Sequence, residues 1–315
     1  MASTDKKARE IRDTGRKGHR AFSFIKAAGA LAAVIAAICA FLIISGQMII
    51  VRKYSIPTET GGKVTIAALT DLHGSMLGND QVRIVNRVRK ADPDIIVYLG
   101  DMIERSRAEI SAKNLVILTQ QLAGIAPIYY VDGNHEEDVR NSEPETYEKL
   151  NAAMADAGAV QLDNETLQIE IGKDCTVNLC GITTHYYWDV KENEVAADLR
   201  ERDGINIMIC HFPETVIWRG AFDGGGLDLA LCGHTHGGLV RVPFKGGMYA
   251  PEWGWWPMYD LGEYPVYSDT DWRHYGGGDG AEYWGTMIVS GGLAGEHGVP
   301  RLNNPMEISI VEIGN

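Results

Sequence analysis

The stretch Leu231-Cys232-Gly233-His234-Thr235-His236-Gly237-Gly238 joins an apolar run to two histidines that one residue separates. The run that leads into it, from Leu227, is typical of a strand covered on both faces. In α/β proteins, ligands gather where such strands end. Side chains at i and i+2 of an extended strand point the same way, so the two histidines can serve separate purposes only if the chain bends. The glycines on both sides permit that bend.

Earlier in the chain, the order of strand, polar loop and helix occurs three times. The three strands end in Asp71-Leu72-His73, Gly100-Asp101 and Gly133-Asn134-His135-Glu136, and a later strand, Ile205 to Cys210, ends at His211. A βαβ series implies parallel strands whose C-terminal ends share one edge of a sheet. The sequence therefore predicts that these polar residues collect at one edge.

Seven of the residues at these strand ends are potential metal ligands: Asp71, His73, Asp101, Asn134, His211, His234 and His236. Carboxylate, carboxamide and imidazole ligands without a thiolate suit Mn, Zn or Fe, whereas Ca²⁺ prefers oxygen ligands alone. Seven ligands are too many for one tetrahedral ion, but they fit two adjacent divalent ions bridged by one carboxylate. Such pairs of ions recur in enzymes that attack phosphorus with an activated water.

This ordered set of motifs resembles the calcineurin-like metallophosphoesterases over roughly Val64 to Val311. The stretch after His236, with Arg241, Pro243 and Tyr249, and the later Pro300-Arg301-Leu302-Asn303-Asn304-Pro305 resemble the membrane-associated bacterial branch that contains YkuE-like proteins. The resemblance implies an α/β fold, a four-layer αββα sandwich of two mixed sheets covered by helices.

The resemblance also implies a role for each site residue. Asp71, His73 and His236 would hold one metal ion, and Asn134, His211 and His234 the other, with Asp101 bridging the two. His135 would be a catalytic histidine that is not a ligand and that protonates the leaving oxygen or steadies the phosphate. Glu136 would orient His135. His185 and His297 are candidates for substrate contact.

In two places the chain departs from the family pattern. Glu104 stands three residues after Asp101, where other members often have a second aspartate. Gly291 follows Ser290, where the branch usually has an arginine.

The N-terminal part of the chain predicts a membrane anchor over residues 27–51. From Ala27 to Gln47 there is no charged residue, and about twenty apolar residues suffice to cross a bilayer as a helix. The apolar run outlasts that of a signal peptide. Eight basic residues precede it, whereas only Arg52 and Lys53 follow closely, so residues 1–26 are predicted to form a basic cytoplasmic tail. A linker over 52–62 and an extracytoplasmic metallophosphoesterase domain over 63–315 would follow.

The formal charge is −13 although residues 1–26 are basic, so the remainder of the chain is strongly acidic. An acidic domain repels nucleic acid, which favours a small-molecule or lipid phosphoester as substrate. Residues 249–284 contain five of the seven tryptophans, which predicts a long aromatic, Gly-rich loop over the edge that carries the ligands.

The sequence thus predicts hydrolysis of a phosphomonoester, phosphodiester or pyrophosphate, of a lipid or cell-envelope substrate, by a water that two metal ions activate. Two alternatives remain open. One is a nucleotide-diphospho-lipid pyrophosphatase of the lipid A pathway type on the cytoplasmic side, which requires the opposite topology. The other is a membrane sensor that binds a metal and phosphate without turnover.

Overall fold

The computed structural model describes residues 26, 28–58, 62–183, 190–250, 253–271, 273–295 and 299–314. The helices are α1 Ala28–Gly46, α2 Val82–Ala91, α3 Ala108–Ala123, α4 Asn134–Ser142, α5 Pro144–Asp156, α6 Val190–Arg200 and α7 Pro213–Trp218. The strands are β1 Ile49–Ile56, β2 Lys63–Leu69, β3 Ile95–Leu99, β4 Ile128–Val131, β5 Ala159–Gln161, β6 Glu165–Ile171, β7 Cys175–Ile182, β8 Ile205–Cys210, β9 Leu229–Cys232, β10 Arg241–Val242, β11 Gly246–Gly247, β12 Tyr249–Ala250, β13 Gly254–Trp255, β14 Gly262–Tyr267, β15 Tyr283–Val289 and β16 Met306–Gly314.

Twelve of these strands form two six-stranded mixed sheets. The first has the order β1-β16-β2-β3-β4-β5 and the second β14-β15-β9-β8-β7-β6. In the first sheet β2 to β5 run parallel, and in the second β7, β8, β9 and β15 do so. The C-terminal ends of the parallel strands therefore lie together at one edge of each sheet, as the repeated strand-loop-helix order predicts.

The two sheets pack face to face around a shared apolar layer. Ile66 and Val97 of the first sheet and Ile207 and Leu231 of the second belong to the same buried cluster. The outer face of the first sheet packs against α2, α3 and α5, and that of the second against α6 and α7. Because both faces of the central strands are covered, these strands are apolar at nearly every position. The predicted αββα sandwich is confirmed.

The N-terminal boundary differs from the predicted one. The helix α1 is long and apolar enough to cross a membrane, but it ends at Gly46. The strand β1 begins at Ile49 and pairs in parallel with β16 along its whole length, so residues 52–56 are part of the sheet where a linker was predicted. The boundary is hidden in the sequence because Ile49, Ile50 and Val51 continue the apolar run, although β-branched residues favour strands.

Residues 249–284 also contain more regular structure than predicted. They include the small strands β12 and β13 and the edge strand β14, which pairs antiparallel with β15. Val266 is buried in the cluster that covers the outer face of the second sheet. Part of this segment is therefore an edge strand of the second sheet.

Candidate metal centre

The structure brings all seven predicted ligands to one edge of the sandwich, and all seven are buried. Asp71 and His73 follow β2, Asp101 follows β3, Asn134 begins α4, His211 follows β8, and His234 and His236 follow β9. The loops support one another through the backbone. The amide of His73 donates to the carbonyl of Asp101 at 3.0 Å, and that of Gly233 donates to His211 at 3.0 Å.

One cluster consists of Asp71, His73 and His236, whose ligand atoms lie within 4.8 Å of one another. Nε2 of His73 is 3.3 Å from Nε2 of His236, which is 3.6 Å from Oδ1 of Asp71. Oδ1 of Asp71 is buried and accepts no hydrogen bond from the described residues. Two ring nitrogens and a carboxylate oxygen that converge in this way fit a cation.

The second cluster consists of Asp101, His211 and His234, again within 4.8 Å. Nε2 of His211 lies 3.3 Å from Oδ2 of Asp101. Asn134 is the first residue of α4, and its Oδ1 atom is buried without a hydrogen-bond donor among the described residues. An amide oxygen left in this state is costly unless a ligand satisfies it.

Asp101 belongs to the second cluster and also faces the first. Its Oδ2 atom is 3.3 Å from Nε2 of His211 and 3.9 Å from Nε2 of His73. Its Oδ1 atom accepts a hydrogen bond of 2.9 Å from the amide of His135. Burial opposes ionisation, but the imidazoles of His211, His135 and His73 hold the pKa of Asp101 well below its usual value. Asp101 is therefore an anion that faces both clusters.

Backbone carbonyls set the tautomers of two of the imidazoles. Nδ1 of His211 is 2.6 Å from the carbonyl oxygen of Leu99, and Nδ1 of His236 is 3.1 Å from that of Ala294. A carbonyl can only accept, so each Nδ1 donates a proton to it and each Nε2 is the ring nitrogen left to face the clusters. This is the usual arrangement of histidines that bind metals. Burial opposes the charged form of His211, but the carboxylate of Asp101 raises the pKa of this imidazole to about 10, so without a bound metal ion its Nε2 also carries a proton, which a metal ion would displace.

Arg301 binds the same carbonyl that orients His236. Its buried guanidinium donates to the carbonyl of Ala294 at 2.8 Å, and also to the carbonyls of Asn304 and Pro305. Burial lowers the pKa of Arg301 to about 10. Since Ala294 also accepts from His236, Arg301 fixes the carbonyl that orients this imidazole, a role that the sequence motif alone does not reveal.

Five of the seven ligands have a left-handed backbone conformation: Asp71 (φ 52°), His73 (45°), Asp101 (51°), His234 (71°) and His236 (50°). Such conformations cost on the order of 1–3 kcal/mol each and cluster at functional sites. The bend predicted at the end of β9 thus lies partly in the backbone of His234 and His236. Gly237 has φ 64°, whereas Gly233 is required for close approach, because a Cβ there would lie 2.1 Å from Oγ1 of Thr70. The rings of His234 and His236 point into different clusters.

His135 lies beside the two clusters and forms a third group with His73 and Asp101, whose ligand atoms also lie within 4.8 Å of one another. The carboxylate next to its Nδ1 atom is not the predicted one. The carboxylate of Glu136 accepts hydrogen bonds of 2.9 Å from the amides of Asp101, Ile103 and Gly133. It therefore ties the loop after β3 to the start of α4. Oε1 of Glu104 is 3.6 Å from Nδ1 of His135, and its Oε2 is 3.6 Å from Nδ1 of His73. The carboxylate beside Nδ1 of both His73 and His135 is therefore that of Glu104. The carboxylate of Glu136 is directed away from His135, to the backbone amide at the start of α4.

Glu104 remains ionised at low pH. The hydrogen bond with His73 lowers the pKa of the Glu104 carboxyl, burial raises it, and the nearby His135 lowers it further. The net result is a pKa of about 2. His185 and His297, the two predicted substrate contacts, lie outside the described residues.

Replacing Glu104 by glutamine is expected to lower activity by about 10–100-fold, the usual effect of losing a group that supports metal ligands.

The same substitution should make stability depend on pH in a defined way. The pKa of Glu104 is below its usual value of 4.5 in the folded chain, so its stabilising contribution is complete above pH 4.5 and is lost as the pH falls through about 2. The melting temperatures of the native protein and E104Q, measured without metal, should differ at neutral pH and converge near pH 2. Glu109→Gln, on the exposed side of α3, is the matched control. A constant difference at all pH values would contradict the ionised state of Glu104.

An α/β sandwich with buried aspartate and histidine clusters where its parallel strands end has the architecture of a metallophosphoesterase. The chain belongs to the calcineurin-like phosphoesterase family, whose model matches residues 64–238. The predicted family is thus confirmed. Members of this family depend on divalent metal ions, and the buried nitrogen and oxygen donors described above fit such ions.

Relatives from bacteria support the family. The chain is 27% identical to YpbG of Bacillus subtilis over 252 residues, which is 76% of this chain and 83% of YpbG. It is 28% identical to a metallophosphoesterase of Helicobacter pylori over 58% of this chain and 47% of that protein, so it spans about half of that relative. It is 21% identical to the metallophosphoesterase YkuE of Bacillus subtilis over 56% of this chain and 58% of YkuE.

Proposed function

We propose that the chain hydrolyses a phosphoester or phosphoanhydride bond with two divalent metal ions, Mn, Zn or Fe. The observation that carries this proposal is the position of Asp101, an anionic carboxylate that faces both ligand clusters. Asp71, His73 and His236 would hold one ion, and Asn134, His211 and His234 the other, with Asp101 shared. When bound, such ions act as Lewis acids on the phosphoryl oxygens and lower the pKa of a coordinated water.

His135 is suited to protonate the leaving oxygen. Its Nδ1 atom faces the backbone amide of Arg105 at 3.3 Å, and an amide can only donate. A neutral His135 therefore carries its proton on Nε2, which points into the site and lies 4.0 Å from Oδ2 of Asp101. The acid is the imidazolium form, which gives the Nε2 proton to the leaving oxygen and keeps its second proton on Nδ1, beside Oε1 of Glu104. A positioned acid of this kind contributes about 10²–10⁴-fold to a rate. Glu104 stabilises the charge that His135 carries when it is protonated.

The substrate is proposed to be a lipid or cell-envelope phosphoester. The helix α1 has the length and composition of a membrane span and leads into β1 with two residues, Gln47 and Met48, between them. The bias of basic residues towards its N-terminal side supports a cytoplasmic N-terminus and an extracytoplasmic catalytic domain.

A cysteine introduced at Lys173, at the tip of the exposed β6–β7 turn, should react with an impermeant maleimide in intact cells if this topology holds. Labelling only after lysis would favour the cytoplasmic pyrophosphatase.

Hydrolysis of bis-p-nitrophenyl phosphate by the purified full chain with added Mn²⁺ tests the reaction. Chelation is expected to abolish the activity and to lower the melting temperature, because two buried clusters of lone pairs and negative charge lose their cations. Adding Mn²⁺ back should restore both. If a phosphodiester is bound stoichiometrically and released unchanged, the chain is a sensor and the enzymatic proposal is wrong.

A further inference from the structure

The helix α1 enters the domain at the edge that carries the metal ligands. The strand β16 runs antiparallel to β2, with Ser309 opposite Ala68, so β16 begins where β2 ends. The strand β1 is parallel to β16, with Ile49 opposite Met306. The first residue of β1 is therefore at the ligand edge, and α1 ends two residues before β1.

The last turn of α1 packs against the loop that precedes β16. The amide of Asn303 donates to the carbonyl of Leu42 at 3.2 Å, and Gly46 lies against the carbonyl of Arg301. Ser45 and Gly46 are buried, whereas most of the helix before them is exposed. This contact determines where the domain sits along the helix.

The length of α1 then places that loop at the surface of the membrane. Nineteen residues of helix span about 28 Å at 1.5 Å per residue, and the hydrocarbon core is about 30 Å thick. Almost the whole helix is needed to cross it. Leu42 is four residues before the end of α1, which is about 6 Å along the axis. Asn303, which bonds to Leu42, therefore lies close to the boundary between hydrocarbon and headgroups.

The short hairpin β10–β11 is attached to this loop, and the pair β12–β13 follows it in the chain. Nδ2 of Asn303 donates to the carbonyl of Arg241 at 3.0 Å, and the amide of Arg241 donates to Leu302 at 3.0 Å. The tip of β10–β11 carries Phe244, which is fully exposed, and Lys245.

The second hairpin presents two exposed tryptophans next to that tip. Trp255 is 67% exposed and Trp256 is 47% exposed. Nζ of Lys245 lies 4.9 Å from the centre of the Trp256 ring. Single exposed apolar side chains are common and need no explanation. Phe244, Trp255, Trp256 and Lys245 lie on two adjacent hairpins, one of which is bonded to the loop that contacts α1. Three large aromatic residues and a lysine are the composition of a membrane-interface contact, where tryptophan sits at headgroup level and lysine reaches lipid phosphate.

We propose that the hairpins β10–β11 and β12–β13 dock into the interfacial layer of the bilayer that α1 crosses. This inference rests on the membrane anchor of the proposed function. Docking would also position the candidate site, because the hairpin β10–β11 packs on the turn that follows His236. Arg241 donates to the carbonyl of Gly237 at 2.7 Å, and a Cβ on Gly238 would lie 2.4 Å from Cα of Gly247. The ligand edge is thereby held at headgroup level, where a phosphoester can reach it without leaving the membrane.

Spin-label depth measurements on the full chain test this docking, in nanodiscs of phosphatidylcholine with a minority of phosphatidylglycerol. The native protein provides one label site, since Cys39 is exposed on α1 and the other four cysteines are buried. Two further labels are placed by F244C and K173C in a C39S background. Lys173, in the β6–β7 turn at the opposite end of the second sheet, is the matched control.

The labels at positions 39 and 244 should be relaxed several-fold more by oxygen than by a water-soluble nickel chelate, and the label at 173 should show the reverse. If position 39 is in hydrocarbon but position 244 behaves like 173, docking is wrong while the anchor stands. If position 244 is shielded from both reagents, a protein contact covers the hairpin and docking is again wrong. If position 39 is in water, both the anchor and the docking are wrong. Hydrolysis of bis-p-nitrophenyl phosphate by F244C, which should equal that of the native protein, reports separately on the proposed reaction.

Discussion

Replacing Asp101 by alanine is expected to reduce hydrolysis of bis-p-nitrophenyl phosphate by at least about 10³-fold, which corresponds to about 4 kcal/mol of transition-state stabilisation. Oδ2 of Asp101 is 3.3 Å from Nε2 of His211 and 3.9 Å from Nε2 of His73, so it is the group that both clusters share. Its removal leaves each cluster without its common anion. Steady-state kinetics with saturating Mn²⁺ and the metal content of the dialysed protein measure the two effects.

Asp156→Ala is the matched control, because Asp156 is an exposed carboxylate at the end of α5. It should leave kcat/KM and metal content unchanged. Asp101→Asn preserves the shape and can still accept the hydrogen bond from the amide of His135, so it separates loss of charge from loss of structure. Native activity with full metal content in D101A would overturn the shared position of Asp101 in the mechanism.

Replacing His135 by glutamine is expected to slow hydrolysis by about 10²–10⁴-fold when the leaving group is a poor one, such as an alkoxide. The reason is that an alkoxide leaves only if its oxygen is protonated, and the Nε2 atom of protonated His135 supplies that proton. With p-nitrophenolate, which leaves readily without protonation, the loss should be much smaller. The ratio of the two effects, measured on an alkyl and a nitrophenyl ester of the same phosphate, identifies the acid.

The metal content of H135Q should equal that of the native protein if His135 is not a ligand. His274→Gln is the matched control, since His274 is exposed and its Nδ1 atom lies 3.2 Å from the carbonyl oxygen of Asp269. An equal loss on both esters would mean that His135 steadies the phosphate instead of protonating the leaving group. Loss of a metal ion together with activity would make His135 a ligand.

The strand ends explain why so much of the site is visible in the sequence. Asp71, Asp101 and His211 each follow an apolar run that is too short for a helix, and parallel strands bring such positions together whatever the details of the loops. The fold class follows from the same pattern, because strands covered on both faces are apolar throughout. The chemistry of the ligands depends only on residue type, which is why Asn134, His234 and His236 could also be named in advance.

The choice between Glu104 and Glu136 as the neighbour of His135 could not be made in this way. Glu136 is adjacent to His135 in sequence, but the first turn of α4 directs its carboxylate to the amides of Gly133 and Asp101. Glu104 comes from a different loop, and its approach to His73 and His135 depends on how the two loops pack. Arg301 is a similar case, since only the folded chain shows that it holds the carbonyl of Ala294.

The sequence by itself determined the family, the order of the strands that carry the ligands, and the residue types at the site, because these depend on short-range patterns. Only the tertiary structure decided that α1 and the candidate ligands share an edge. That relation requires β1 to pair with β16, from the opposite end of the chain, and the loop before β16 to contact Leu42. The pattern of neither segment identifies its distant partner, so the position of α1 relative to the candidate site emerges only when the sheet is complete.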